Sequence, residues 1–219
     1  KKSSFNTDLL KENLLASLVH RNGWIRDRAQ QKLIQNHTPS HIPLLENMVM
    51  VEEKSLAQLH ALYVLEGTDQ LSFEFLEKAA LCLNPQVVAH ALVLLEGFIS
   101  KDYKEKVLQL FTKLQGRNDT AINLYLASTL GSWAKSSQQD FFPLITRLSE
   151  KNSNNQILTE ALLSGLTGQE EALFDYLKRT DSSGSVFLKV DLLKVMDNKK
   201  ADNKNRIYTT VYLAEDNRT

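Results

Sequence analysis

The octapeptide HALYVLEG at residues 60–67 returns as HALVLLEG at residues 90–97, thirty positions later in the same chain. A short catalytic motif is rarely duplicated at fixed spacing, whereas a packing unit that must stack on copies of itself has to be. The alanine inside the motif extends the pattern, because Ala61, Ala91, Ala127 and Ala161 follow one another at intervals of 30, 36 and 34 residues, in the range of helical-repeat periods. Small residues at that place let neighbouring helices approach. On a helical wheel Leu59, Leu62 and Leu65 share one face, and His60, Tyr63 and Gly67 fall on the other. A helix pair that is apolar on more than one side is stable only between other pairs, and this is the physical reason for an array.

Breakers mark the joints between helices. Glycines number 8 and prolines 4, and Leu, Ala, Glu, Lys and Gln dominate, which favours helix nearly throughout. The spacing predicts DLLKENLLASLVH as a first helix with Asn6 or Thr7 as its N-cap and Arg21-Asn22-Gly23 as its end, followed by WIRDRAQQKLIQN. SHIPLLENMVMVE pairs with SLAQLHALYVLEG, with Ser40 and Ser55 as caps. SFEFLEKAALCL pairs with QVVAHALVLLEGFI, where Pro85 suits a first helical turn. KEKVLQLFTKL pairs with TAINLYLASTLGSWA, QDFFPLITRLSEK with NQILTEALLSGL, and EEALFDYLKR with the less regular SVFLKVDLLKVM. The expected fold is all-α, an α-solenoid of about five to six antiparallel helix pairs of the HEAT-like or armadillo type. Its expected extent is residues 1–198, with 199–219 as a C-terminal linker or tail.

Composition narrows the function classes. Lys plus Arg and Asp plus Glu both number 26, so no global field attracts nucleic acid or an anionic membrane, and any partner is recognised locally. The one cysteine, Cys82, excludes an internal disulfide, and its neighbours Leu81 and Leu83 suggest a buried thiol. No apolar run approaches the ~20 residues of a membrane span. The opening Lys1-Lys2-Ser3-Ser4 has neither an initiator Met nor a signal-peptide core, and the chain reads as an excised piece of a longer protein.

WIRDRAQQKL has the hydrophobic–Arg–x–x–Ala–x–x–x–Leu character of a HEAT-repeat second helix, carried by Ile25, Arg26, Ala29 and Leu33. Together with SLAQLHALYVLEG and LNPQVVAHALVLLEG, it resembles the HEAT-like segment of exported bacterial membrane-bound dehydrogenase proteins. In these a sugar-dehydrogenase-like β-propeller precedes HEAT-like repeats and a haem-binding cytochrome c domain. The resemblance covers about residues 14–97, and beyond them only the helical-repeat character persists. It implies a place in an oxidoreductase whose parent carries haem c, partner domains in the same parent chain, and a periplasmic or extracellular-facing location. In such proteins the cytochrome domain opens with a helix ending in Cys-x-x-Cys-His, and Ile207 to Val211 reads like that helix's entry. Here Tyr212, Glu215 and Asp216 stand where Cys, Cys and His would, so no cofactor is expected in this segment. A frayed terminal segment is the preferred reading there.

The remaining polar and aromatic residues are weighed one by one. His60 and His90 share a repeat position and would lie about 10 Å apart on packed helices, too far for one metal ion. Glu66 and Glu96 do not complete such a site, because six residues along a helix turn the side chain away. Structural hydrogen bonding leads for both histidines, with a partner-binding ladder as the functional alternative. His37 and His41 straddle Pro39 in a loop, where metal binding is not expected. Trp24 is expected to pack at the end of the array. Arg26 and Arg28 flank Asp27 and could hold a phosphate or a partner carboxylate, although mixed charges of this kind usually pair with adjacent repeats. Trp133 reads as core or edge packing. Lys199, Lys200, Lys204 and Arg206 are diluted by Asp197 and Asp202 and read as a solvated linker.

No phosphate loop, catalytic triad or paired-carboxylate signature appears, so no catalytic or metal-binding residue is assigned. The candidate partner-binding surface is His60, Tyr63, His90, Arg26 and Arg28. Three functions compete: a non-catalytic scaffold or docking module of the exported oxidoreductase, a free-standing peptide-binding adaptor, and an enzyme on the same fold such as a helical-repeat DNA glycosylase or a bilin-lyase-like protein. The zero net charge weighs against a DNA-binding groove.

Overall fold

A computed structural model describes residues 13–51, 53–99, 102–180 and 185–216, with side chains through Ala201. The described residues are helical and contain no strand. The helices are α1 Leu14–Ser17, α2 Gly23–Gln35, α3 His41–Val51, α4 Ser55–Gly67, α5 Phe73–Ala80 and α6 Pro85–Leu95, which ends in a 3₁₀ turn over Glu96–Phe98. They continue as α7 Lys104–Gln115, α8 Thr120–Ala134, α9 Gln138–Lys151, α10 Gln156–Gly165, α11 Glu170–Arg179 and α12 Val186–Asp216. The N-cap expected at Asn6 or Thr7 lies outside the described residues.

Local sequence chemistry sets most of the ends. Asn22, Asn84 and Asn155 cap α2, α6 and α10, each side chain accepting from a backbone N–H in the first turn, and Ser72 caps α5 from Phe75 N–H at 3.1 Å. Pro85 occupies the first turn of α6, where its missing N–H costs nothing. Ser55 does not cap α4. The cap position is Lys54, whose side chain makes no capping hydrogen bond, and the Ser55 hydroxyl instead accepts from Asn84 Nδ2 at 2.9 Å.

The chain divides into two compact units, Lys1–Ile99 with Gly116–Tyr125, and Ser100–Gln115 with Leu126–Thr219. In the first unit α3 packs on α4 and α5 on α6, forming two helix hairpins. The second helices also pack on one another, α2 against α4 and α4 against α6, so α4 has a neighbour on each side. This explains the doubled octapeptide. Ala61, Leu62 and Leu65 in one copy and Ala91, Leu92 and Leu95 in the other are fully buried, because each helix must satisfy its own hairpin partner and the next second helix. Buried Gln58 and half-buried Asn84 stitch the pairs: Gln58 Nε2 donates to Val49 O at 2.7 Å and Asn84 Nδ2 to Gln58 Oε1 at 2.5 Å.

In the second unit α7 packs on α9, α9 on α10 and α11, and α11 on α12. Trp133, Phe111 and Phe141 form its aromatic core, with ring centroids 6.0 to 6.4 Å apart. Buried amides again reach across, Gln115 Nε2 to Leu144 O and Gln169 Nε2 to Gly131 O, both at 2.8 Å. Glycine permits a very close approach here. A Cβ on Gly131 would stand 2.1 Å from the Gly165 carbonyl oxygen, so α8 and α10 touch backbone to backbone.

The boundary expected at residue 198 falls inside α12, whose backbone stays helical to Asp216. Lys199 is on that helix and pairs with buried Glu170, which also accepts from Gly168 N–H at 3.0 Å. Burial pushes the Glu170 carboxyl up, but the Lys199 ammonium and the backbone N–H groups of Glu170 and Gly168 outweigh it and hold the group below the usual glutamate value. The sign follows. A depressed folded value gives stability that is present above the unfolded glutamate value and is lost as pH falls through the folded one. Lys199→Met should therefore cost about 1 kcal/mol at neutral pH, water at the half-exposed ammonium trimming the effect, and the loss should shrink in acid. Urea titrations of both proteins at several pH values between neutrality and acid would measure this.

Candidate functional site

The polar face of α4 and α6 in the first unit gathers three of the five candidate residues. His60 Nδ1 lies 2.6 Å from Gln30 Oε1 on α2, and its Nε2 is 3.9 Å from Asp27 Oδ1. Tyr63 reaches the next second helix, its hydroxyl 2.7 Å from His90 Nδ1 and its ring edge-on to the imidazole at 5.5 Å. His90 in turn sits 6.1 Å from the ring of Tyr125, the last residue of this unit. The three side chains are half-buried.

Burial controls the electrostatics here. It lowers the imidazole of His60 from its ordinary value, with Arg26 adding to the effect and Asp27 opposing it, and it lowers His90 as well. The Tyr63 phenol is pushed up, first by burial and then by Glu66 and Tyr125. These groups are therefore neutral hydrogen-bonding side chains near neutral pH. The two imidazoles and the Tyr63 phenol thus offer uncharged hydrogen-bonding polarity.

Arg26 and Arg28 do not join this row. The Arg26 guanidinium turns back to the preceding loop, Nη1 donating to His20 O at 2.8 Å and to Arg21 O at 3.1 Å, while Nε is buried without a partner. Arg28 lies over the Trp24 ring at 5.6 Å and donates to Gln31 Oε1 at 3.0 Å. Trp24 corrects its expected packing role: it is 45% exposed on the first turn of α2, where the cap bond from Asn22 fixes the turn but leaves the ring outside the core.

His41 Nδ1 accepts from Thr38 N–H at 3.3 Å, closing the loop that begins its helix, and His37 is exposed. Among the described residues no group of three His, Cys, Asp or Glu is placed to hold a metal ion. The Cys82 thiol is only half-buried; burial raises its pKa against the opposing hydrogen bond to Asn84 O and the charge of Arg117. Trp133 is fully buried in the second unit's aromatic core. Side chains of Lys204, Arg206, Tyr212, Glu215 and Asp216 lie outside the described residues. Among the described residues no helix is long and apolar enough to cross a membrane.

Two participants escaped sequence reasoning. Gln30 and Tyr125 carry no motif, and only the packing of α2 and α8 brings them to the row. The repeat offset was the usable signal, since Gln30 precedes His60 by the same thirty positions that separate His60 from His90. Compared with known proteins, the chain matches no family model, no curated protein and no solved structure.

Proposed function

We propose that this chain is a non-catalytic helical-repeat scaffold, an α-solenoid of the HEAT-like kind, serving as a docking module within a larger exported oxidoreductase. Its partners are protein domains of the same parent chain, on the periplasmic or extracellular side, and the parent rather than this segment carries haem c. The observation that carries the scaffold half of this reading is the use made of the polar residues. His60 and Tyr63 each spend a hydrogen bond on a neighbouring second helix, to Gln30 and His90, at sequence separations of 30 and 27. Groups committed in this way hold successive helices in register. They do not converge on a point where a substrate atom could be attacked. The oxidoreductase half rests on the resemblance of residues 14–97.

A free-standing peptide-binding adaptor is the second reading, favoured by the half-exposed rings of Tyr63, His90 and Tyr125 on one face. An absorption spectrum and haem stain of the natural gene product, purified from its own cells, separates the two. The scaffold reading expects a c-type haem signal on a protein much larger than this segment's 24.9 kDa. A haem-free product of the segment's own size contradicts it.

A further inference from the structure

One groove of the first unit gathers positive charge beside apolar side chains. Its walls are the loop after α1, residues 18–21, together with Arg26 of α2 and the first turn of α4, residues 54–57, and its volume is about 380 Å³. Three of the nine lining residues, Arg21, Arg26 and Lys54, are cationic, and none of the nine carries a carboxylate. Loop carbonyls hold two of these cations in place. Arg26 Nη1 donates to His20 O at 2.8 Å and to Arg21 O at 3.1 Å, and Lys54 Nζ donates to Val19 O at 3.4 Å. Those carbonyls fix positions but carry no net charge, so the mutual repulsion of the gathered cations is not neutralised by the groove itself. The start of α4 adds to the same field, because Lys54 at the cap position makes no capping hydrogen bond and a helix is positive at that end.

The rest of the lining selects the body of the ligand. Leu18, Val19, Leu56 and Ala57 make the apolar part of the wall, and Leu56 is 53% exposed, so apolar surface lies open beside the charge. The two uncharged polar residues are already engaged. His20 Nδ1 accepts from Asn22 N–H at 3.0 Å, and the Ser55 hydroxyl accepts from Asn84 Nδ2 at 2.9 Å. A peptide laid along this wall would bury amide groups with few partners, at a cost for each one left unmet. A carboxylate on a short apolar tail meets both halves of the lining. Its anionic end takes charge-assisted hydrogen bonds from Arg21 and Lys54, both exposed, and its tail covers Leu56. The volume is also of the order found for small-molecule sites, about 300–1,000 Å³.

We propose that the first unit binds a small monocarboxylate with an apolar tail, the chemical class of a medium-chain fatty acid, in this groove. The carboxylate lies at Arg21 and Lys54 with the Arg26 charge behind it, and the tail covers Leu56 and Ala57. The test is an amide NMR titration of the unaltered protein with octanoate at low salt. Acetate, the charge without the tail, and octanol, the tail without the charge, are the comparators. The expected result is saturable shifts centred on residues 18–21 and 54–57, with octanoate bound at least about tenfold more tightly than either comparator and more weakly as salt is added. Arg21→Gln, a change at an exposed side chain, should weaken octanoate about tenfold. Leu56→Glu places a carboxylate of the chain's own in the groove and should abolish binding, with circular dichroism confirming that both variants remain folded.

Octanol bound as tightly as octanoate, or no saturable shift at residues 18–21 and 54–57, would overturn the proposal without recourse to any variant. So would unchanged octanoate affinity in the folded Arg21→Gln and Leu56→Glu proteins. An apolar peptide with a free C-terminal carboxylate that displaces octanoate at lower concentration would give the groove to a chain end and equally overturn it. The docking reading is tested separately, since none of these outcomes depends on the size or haem content of the natural product.

Discussion

Replacing Gly131 with alanine is expected to cost about 3 kcal/mol or more of stability, a large fraction of what holds a domain of this size together. The added methyl would stand 2.1 Å from Gly165 O, 2.2 Å from Gly165 C and 2.8 Å from Leu166 N. All three are backbone atoms, with no flexible group to swing aside, so α8 and α10 must separate. Separation has a second cost, since the buried Gln169 amide donates to Gly131 O at 2.8 Å and would lose its acceptor. Gly165→Ala meets Ser128 O at 2.7 Å and should cost less, and the double variant should cost less than the sum because both changes force the same separation. Gly97→Ala is the control, with nothing within 4 Å of the new methyl. Urea unfolding followed by circular dichroism ranks the three. A Gly131 variant as stable as the Gly97 variant would show that the helices do not depend on this contact.

Trp133→Ala should cost about 3–5 kcal/mol, the usual range for removing a large buried aromatic side chain. Its ring is fully buried and meets Phe111 edge-on at 6.1 Å and Phe141 at 6.0 Å, so truncation leaves a cavity against two rings that are themselves fixed by packing. Trp133→Phe should be much milder, about 1–2 kcal/mol, although it too removes volume. The indole Nε1 is buried with no hydrogen-bond partner, and replacing an unmet donor with carbon recovers part of the loss. Thermal melts of the two variants check the contrast. Equal losses would mean that the indole N–H is satisfied in the folded protein.

The helices were legible because their signals are local. TAINLYLASTLGSWA and EEALFDYLKR form α8 and α11 end to end as periodicity and breakers mark them, and Pro85 opens α6. What the sequence hid depends on which helix meets which. Ser55 looks like a cap, yet the backbone enters α4 one residue earlier and the hydroxyl faces Asn84. Lys199 sits in a polar run that reads as linker, and only the return of α12 beside α11 gives it Glu170. Alanine at the repeat position predicted a close helix approach, and a backbone-to-backbone approach is also made at Gly131 and Gly165, a pairing that no spacing rule announces.

The candidate site was legible in part for the same reason. The octapeptides mark His60, Tyr63 and His90 as one row, and structural hydrogen bonding was the expected role of the histidines, which the bonds to Gln30 and Tyr63 match. Arg26 and Arg28 were counted with that row as cations that could hold a phosphate or a partner carboxylate. On the helix they point to the preceding loop and to Trp24, since two residues along a helix lie on different faces.

The central claim is that the residues most like an active site hold successive helices together, and a double-mutant cycle on Tyr63 and His90 tests it most directly. Tyr63→Phe, His90→Phe and the double variant, compared by urea unfolding at neutral pH, should give a coupling of about 1 kcal/mol, the two single losses exceeding the double. Coupling near zero, with both single variants as stable as the unaltered protein, would contradict the account and return these residues to the groups kept for chemistry.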